Sequence, residues 1–154
     1  MSTEIEGGPC VSLRTAKPAD LPQVLALIEG ASLPTAGVSE ALPDFLVAET
    51  GDEMVGVAGL EIYDQSALLR SVAVKEGWRG SGVGRVLVER ALSTTRERGI
   101  KDVFLLTTTA EHYFPRFGFA CVSRDCVADD VQASAEFRGA CPASAVVMRK
   151  SLAG

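Results

Sequence analysis

Val72-Ala73-Val74-Lys75-Glu76-Gly77-Trp78-Arg79-Gly80-Ser81-Gly82-Val83-Gly84-Arg85 is an apolar strand run that enters a glycine-rich turn and leaves it as a helix. Glycines at 80, 82 and 84 let backbone N–H groups point inward with no Cβ in the way. The first turn of the new helix adds its own unsatisfied amides and the positive end of its dipole, so the segment reads as an anion cradle. Arg79 and Arg85 supply fixed positive charge in a chain that is otherwise acidic, with 20 acidic against 15 basic residues and a net charge of -5. A diphosphate fits such a seat. Two other phosphate loops fail on the letters. A Walker-type loop needs Gly-Lys-Ser/Thr where Gly82 is followed by Val83 and Gly84, and the dinucleotide pattern G-x-G-x-x-G ends here in Arg85. A plain glycine-rich turn is the bland alternative, but an arginine on each side, a strand before and a helix after favour a cofactor site.

Working outward, Ala67–Val74 is long and rich in β-branched residues, which predicts a central strand buried on both faces. Before it, Phe45–Glu49 and Met54–Tyr63 are β-rich runs joined at Gly51-Asp52, a hairpin connection that pairs them antiparallel. Cys10–Arg14 predicts a further strand. Leu21, Val24, Leu25 and Ile28 recur at helical spacing up to Gly30, with Asp20 and Gln23 in a capping-box pattern. The segment 31–43 mixes Pro, Gly, Ser and Thr, and predicts a loop with at most a short helix, suited to lining a pocket. After the glycine turn, Val83, Leu87 and Ala91 form the apolar stripe of a helix over Gly84–Arg98, ended by Gly99. A strand over Asp102–Thr107, a short helix over Ala110–Phe117, and strands over Phe119–Ser123 and Ser144–Arg149 complete the pattern. This order gives a mixed α/β sheet with helices on its faces.

A length of 154 residues with 47% apolar content suits one domain with one sizeable core. The acidic balance gives no footprint for nucleic acid or an anionic membrane. Met1–Cys10 carries no basic region followed by a long apolar run, and no later segment offers an uninterrupted apolar span of about 18 residues, so a cytoplasmic protein is expected. Cys10, Cys121, Cys126 and Cys141 lack C-x-x-C spacing and His112 is the lone histidine. Reduced structural thiols and no metal are therefore the expectation, with a soft-metalloid site at Cys121, Cys126 and Cys141 the improbable alternative.

The run Arg79-Gly80-Ser81-Gly82-Val83-Gly84 matches the Q/R-x-x-G-x-G/A signature of the GNAT superfamily of N-acetyltransferases. The element order, Phe117-Gly118-Phe119 and the closing strand resemble that family from about Ser12 to Leu152. Within it, the run Leu105–Phe114 with Arg116-Phe117-Gly118-Phe119 resembles the acetyltransferase domain of N-acetylglutamate synthases, and Glu136-Phe137-Arg138 and Cys141–Met148 continue the likeness. The whole chain is also similar to small stand-alone arsenic-resistance N-acetyltransferases, whose relatives modify glutamate-like toxins; that step is an analogy. The resemblance implies an α/β (α+β) fold, a mostly antiparallel mixed sheet of six to seven strands flanked by about four helices. It implies one domain over 12–154 after a flexible leader over 1–11. Acetyl-CoA would be the co-substrate, and a small-molecule amine, that of a small amino acid or glutamate-like toxin, the acceptor. A homodimer through the terminal strand or a sheet edge is compatible with it.

On the same likeness the cofactor is held by the backbones of Val72 and Val74 and by Arg79, Gly80, Ser81, Gly82, Val83, Gly84 and Arg85. An amino-acid acceptor arrives as an ammonium and must lose a proton before attacking, which makes Glu61, near the end of its strand, the candidate base. Its bland alternative is a solvent-facing strand carboxylate, and Glu111 is a weaker second choice. Arg70 interrupts an apolar strand and needs a partner, either an anionic group of the acceptor or an internal carboxylate such as Glu61. Arg138 and Ser144 match positions by which glutamate-acetylating relatives hold their acceptor. Many family members carry a tyrosine four residues before the glycine of the Gly-Phe pair. Phe114 stands there instead, and Tyr113, expected to point elsewhere on the helix, reads as packing. A peptide or protein N-acetyltransferase and a non-catalytic CoA sensor are the competing functional readings.

Overall fold

The computed structural model describes residues 2–4, 10–108, 110–140 and 145–152. Eight strands form one sheet: β1 (Ser2–Glu4), β2 (Cys10–Thr15), β3 (Leu46–Thr50), β4 (Glu53–Ile62), β5 (Ser66–Val74), β6 (Asp102–Thr107), β7 (Ala120–Cys121) and β8 (Val146–Ser151). Their order is β1-β2-β3-β4-β5-β6-β8-β7. Every neighbouring pair is antiparallel except β5 with β6. Seven of these strands answer to sequence expectations; the additional one, β1, falls in the stretch read as a leader. The helices are α1 (Leu21–Gly30), α2 (Val38–Ala41), α3 (Val83–Glu97) and α4 (Asp129–Gln132). Among the described residues no helix is long and apolar enough to cross a membrane.

Helix α3 buries Val83, Leu87 and Ala91 as one stripe, with Val86 and Val88 beside it, against Val55, Leu60, Leu69, Leu105 and Met148 on one sheet face. On the other face α1 buries Val24 and Ile28, four apart, with Phe45, Val47, Val57 and Ala73. Gly59 makes that second core possible. A Cβ there would lie 2.4 to 2.7 Å from the ring of fully buried Phe45, so only glycine lets the ring lie flat on β4. A third cluster packs Val127 and Val131 over Leu68, Phe104 and Val147.

Two irregularities in β5 shape the molecule. Val57 pairs with Ala73 and Gly59 with Arg70, so Ser71 and Val72 together oppose Ala58: a β-bulge, with Ser71 at φ +59°. The extra residue reverses the alternation, and Leu69 and Val72 consequently face the same α3 side. Strand β5 also pairs with β6 over only Ser66–Leu68 and Asp102–Phe104. Beyond Leu68 the strands part, while β6 stays paired with β8 through Thr107.

Three local expectations are revised. Asp20 does not cap α1 with its side chain; a 3₁₀ turn at Pro18–Asp20 precedes the helix and turns the carboxylate back to the Lys17 amide at 2.7 Å. The helix expected over Ala110–Phe117 is a turn followed by a 3₁₀ helix at Phe114–Phe117, with Pro115 in its first turn. The strand expected over Phe119–Ser123 shortens to Ala120–Cys121, because Ser123 accepts the Asp125 amide and starts another 3₁₀ turn.

Arg14 of β2 ties three elements together. Its guanidinium meets both Asp20 oxygens at 2.7 and 2.9 Å, and Glu49 of β3 at 2.8 and 3.1 Å. Hydrogen bonding to Arg14 holds Asp20 at about 2 and holds Glu49 below the usual carboxylate range. Because both folded values are depressed, their contribution is complete above the ordinary carboxylate pKa and is lost as pH falls through the folded values. In urea titrations Arg14→Met is expected to flatten the decline in stability between about pH 4 and pH 2. Gly59→Ala is expected to cost roughly 1–3 kcal/mol through overpacking against Phe45; an unchanged urea midpoint would show that the ring can move aside.

Candidate functional site

Where β5 and β6 part, a cleft of about 830 Å³ opens. One wall is β5 from Leu69 to Val72 with Val74, and the other is Leu105–Thr107 of β6. The Ala31–Pro34 loop borders it, Gly80, Gly82, Gly84 and Arg85 close one end, and Tyr113, Phe114 and Glu136 complete the lining. Lys75 N donates to Val55 O on the β4 side, so strand alternation turns the Val74 amide toward the cleft. The side chains of Val72 and Val74 pack against the α3 core, and both residues line the opening.

The glycine turn takes the form that anion binding requires. Gly80 and Gly82 sit at φ +82° and +95°, which side chains rarely adopt, and Gly82 is the residue from which α3 springs. The amides of Val83, Gly84 and Arg85 are the first of that helix and have no intrahelical acceptor. Val83 contributes only its amide, since its side chain is fully buried. Ser81 faces away: its amide donates to Trp78 O at 3.2 Å and its hydroxyl bonds the same carbonyl. Arg79 anchors its Nε on Val74 O at 3.2 Å while lining the cleft, and Arg85 lines it from the exposed side.

Tyr113 is a residue whose role the sequence reading missed. With a turn rather than a helix at 111–113, it does not point away but lines the cleft, its hydroxyl 3.4 Å from where a Gly84 Cβ would stand. The ring is held edge-on by Phe114 and Phe117, with Arg116 4.5 Å over its face. Burial raises the hydroxyl above its ordinary pKa, so it remains a proton-bearing donor beside the anion seat.

At the opposite end lies a buried ionic cluster. Arg70 has a fully buried side chain and donates through Nη1 to Glu61 at 2.7 Å and Ala36 O at 2.6 Å, and through Nη2 to Pro34 O at 3.1 Å. Its Nε is shared between Ser71 Oγ at 3.1 Å and Glu136 at 3.3 Å. Of the two partners considered for Arg70, the structure places the internal carboxylate beside it. Glu61 also accepts from the Tyr63 hydroxyl, whose pKa burial and this bond raise, and it borders a separate shallow depression instead of the cleft. Arg138 is exposed and, like Glu111 and His112, does not line the cleft; Ser144 and Cys141 lie outside the described residues. Glu136, buried and on the cleft wall, entered the sequence reading only within the Glu136-Phe137-Arg138 likeness, with no role assigned. Cys121 and Cys126 are exposed thiols, and among the described residues no three His, Cys, Asp or Glu side chains converge as a metal site.

A family model for the acetyltransferase (GNAT) domain matches residues 42–121, more than half the chain. The chain belongs to the GNAT acetyltransferase family. The matched region of this GNAT protein holds the bulge, the parted strands and the anion seat. An uncharacterized N-acetyltransferase of Chlorobaculum tepidum is 34% identical over 89 residues, 57% of each chain. An amino-acid acetyltransferase of Mycobacterium tuberculosis is 36% identical over 84 residues, 52% of this chain and 48% of that one. The chain thus spans about half the length of the curated relatives it matches. A Mycobacterium tuberculosis protein crystallised in complex with CoA superposes with a TM-score of 0.77 over 92% of this chain and 99% of that one, at 25% identity. N-acetylglutamate synthase from Neisseria gonorrhoeae, complexed with coenzyme A and N-acetyl-glutamate, reaches 0.82 over 95% of this chain and 36% of its own at 21% identity, a likeness of fold alone.

Removing Arg70 takes the guanidinium away from two buried carboxylates and releases the loop carbonyls of Pro34 and Ala36. Arg70→Met is therefore expected to cost about 3–5 kcal/mol, whereas Arg138→Met at its exposed position should stay within roughly 0.5 kcal/mol. Paired urea titrations give both values; equal losses would contradict the clamp.

Proposed function

We propose that this GNAT chain transfers an acetyl group from acetyl-CoA to the amine of a small amino acid. The observation that carries the reading is the meeting, in one cleft, of an anion seat at Gly80–Arg85 and a strand edge at Val72–Val74 that β6 leaves without a partner strand. The amides of Gly82, Val83, Gly84 and Arg85, with the Arg79 and Arg85 guanidinium groups and the Tyr113 hydroxyl, would hold the diphosphate. The backbones of Val72 and Val74 would hold the pantetheine arm as a further strand holds a sheet edge. When bound, acetyl-CoA supplies an activated acyl carbon at the end of that arm. Directing the arm along β5 brings this carbon toward the Ser71 bulge, where a main-chain amide would stabilise charge developing on the thioester oxygen. Holding both reactants in one cleft supplies proximity, the main contribution to a direct transfer.

The relatives support the amino-acid class, one being named an amino-acid acetyltransferase and one solved neighbour holding N-acetyl-glutamate. Glutamate and glutamate-like toxins, phosphinothricin and arsenic analogues among them, are the acceptors proposed. Arg138 and Ser144, near Glu136 in sequence, are the proposed contacts for the acceptor carboxylate. Arg70 acts instead through the loop it holds.

Thiol release from acetyl-CoA, measured with glutamate, phosphinothricin, an arsenic analogue and a lysine peptide, tests this reading. Turnover is expected with the small acids only, and a preference for the peptide would move the protein to another acceptor class. Gly82→Val forces a branched side chain into a φ of +95° at the start of α3. It should weaken CoA binding at least tenfold in calorimetry, and unaltered binding would place the diphosphate elsewhere.

A further inference from the structure

We propose that Arg116 binds the ribose 3′-phosphate of coenzyme A and so selects the 3′-phosphorylated carrier over its dephosphorylated form. The proposal deepens the acyl-transfer reading above and rests on it.

The carrier brings two separate anions to the cleft. Its diphosphate has a seat in the amides that open α3, but the phosphate monoester on the ribose lies beyond that bridge and carries a charge of roughly −1.5 to −2 at neutral pH. Arginines line the cleft at 70, 79, 85 and 116. Arg70 is engaged by Glu61 and Glu136, whereas Arg79, Arg85 and Arg116 belong to no ion pair among the described residues. Arg79 and Arg85 flank the glycine turn and serve the diphosphate. Arg116 comes from another element and stands elsewhere.

Tyr113 caps the 3₁₀ helix Phe114–Phe117, and in such a helix residues three apart eclipse, which brings Arg116 over Tyr113. Its Cζ lies 4.5 Å from the ring centroid, and its Nε donates to the Tyr113 carbonyl at 2.9 Å. Neither Nη has a protein partner among the described residues. The stack and the Nε bond fix the plane of the fork, and its two Nη groups are the donors that a phosphate takes bidentately.

The Tyr113 ring also sets the spacing. Its hydroxyl edge meets the seat, 3.4 Å from where a Gly84 Cβ would stand, while Arg116 covers its face. Arg116 is thereby held beside the seat and not in it. Burial raises the hydroxyl pKa, the charges of Arg116 and Arg85 oppose that rise, and Glu89 of α3 adds to it. Two cations from different elements therefore act on one hydroxyl. A ligand leaving the seat past Arg79 would instead enter a groove of about 680 Å³ lined by Asp52, Glu53 and Glu76, where Lys75 is already paired with Glu53. Those carboxylates repel a phosphate, so charge directs the ribose end toward Arg116.

Calorimetry with CoA and dephospho-CoA on the wild type, Arg116→Met and Arg116→Lys tests the assignment. The wild type is expected to bind CoA about tenfold more tightly than dephospho-CoA. Arg116→Met should bring the two carriers to within about twofold of each other by weakening CoA alone. Arg116→Lys keeps the charge without the fork and should fall between; with the wild-type comparison it carries the test if the methionine variant does not fold. In thiol-release assays Arg116→Met should raise the KM for acetyl-CoA about tenfold and leave kcat within about twofold, because the ribose is remote from the acyl carbon. A substitution that merely displaced Tyr113 would weaken both carriers alike. That outcome, or equal affinity of the wild type for the two carriers, overturns the role of Arg116. A wild type that binds neither carrier overturns the acyl-transfer reading, and the assignment with it.

Discussion

Strand β5 cannot satisfy both neighbours along its whole length. It follows β4 to Val74, but the bulge at Ser71–Val72 bends it, and β6 is held straight by full pairing with β8. Only Ser66–Leu68 remain within reach of β6. A parted sheet would normally be costly, because buried backbone groups without partners lose about 1–3 kcal/mol each. Here the gap widens into a cleft, where a ligand's own amides can complete the hydrogen bonding. Ser71 at φ +59° carries local backbone strain of about 1–2 kcal/mol, held in place by Leu69 and Val72, which pack against α3 on either side of it.

The same geometry separates the charges. The C-terminal end of β5 runs into the glycine turn, which gathers Arg79, Arg85, Tyr113 and helix amides. The Arg70 end gathers Glu61 and Glu136 around one cation. An acidic chain thereby presents a positive seat at one end of the cleft and a buried ion-pair cluster at the other. The positive seat suits an anionic carrier. Arg70 serves the arrangement structurally, binding the Pro34 and Ala36 carbonyls so that the connection between α1 and α2 stays against the cleft.

Where local chemistry dictated structure, the sequence was readable. Gly80 and Gly82 demanded a positive-φ turn, Val83, Leu87 and Ala91 announced α3, and the β-branched run before them announced a central strand. The bulge was hidden, since Arg70-Ser71-Val72 looks like uninterrupted strand and the extra residue is created by pairing with Gly59 and Val57. Tyr113 was misplaced because its neighbourhood forms a turn instead of a helix, which removes the angular offset from Phe114. The partners of Arg70 were legible only as alternatives. Glu136 lies 66 residues further along the chain, and a contact across that distance leaves no trace in spacing.

Backbone amide hydrogen exchange with and without CoA tests the central claim most directly, because that claim concerns main-chain groups which substitution cannot remove. Protection on adding CoA is expected at Val72, Val74 and Gly82–Arg85 together, with Ser66–Leu68 already protected in the free protein by pairing to β6. Protection confined to other segments, or absent from both the strand edge and the glycine turn, would contradict it.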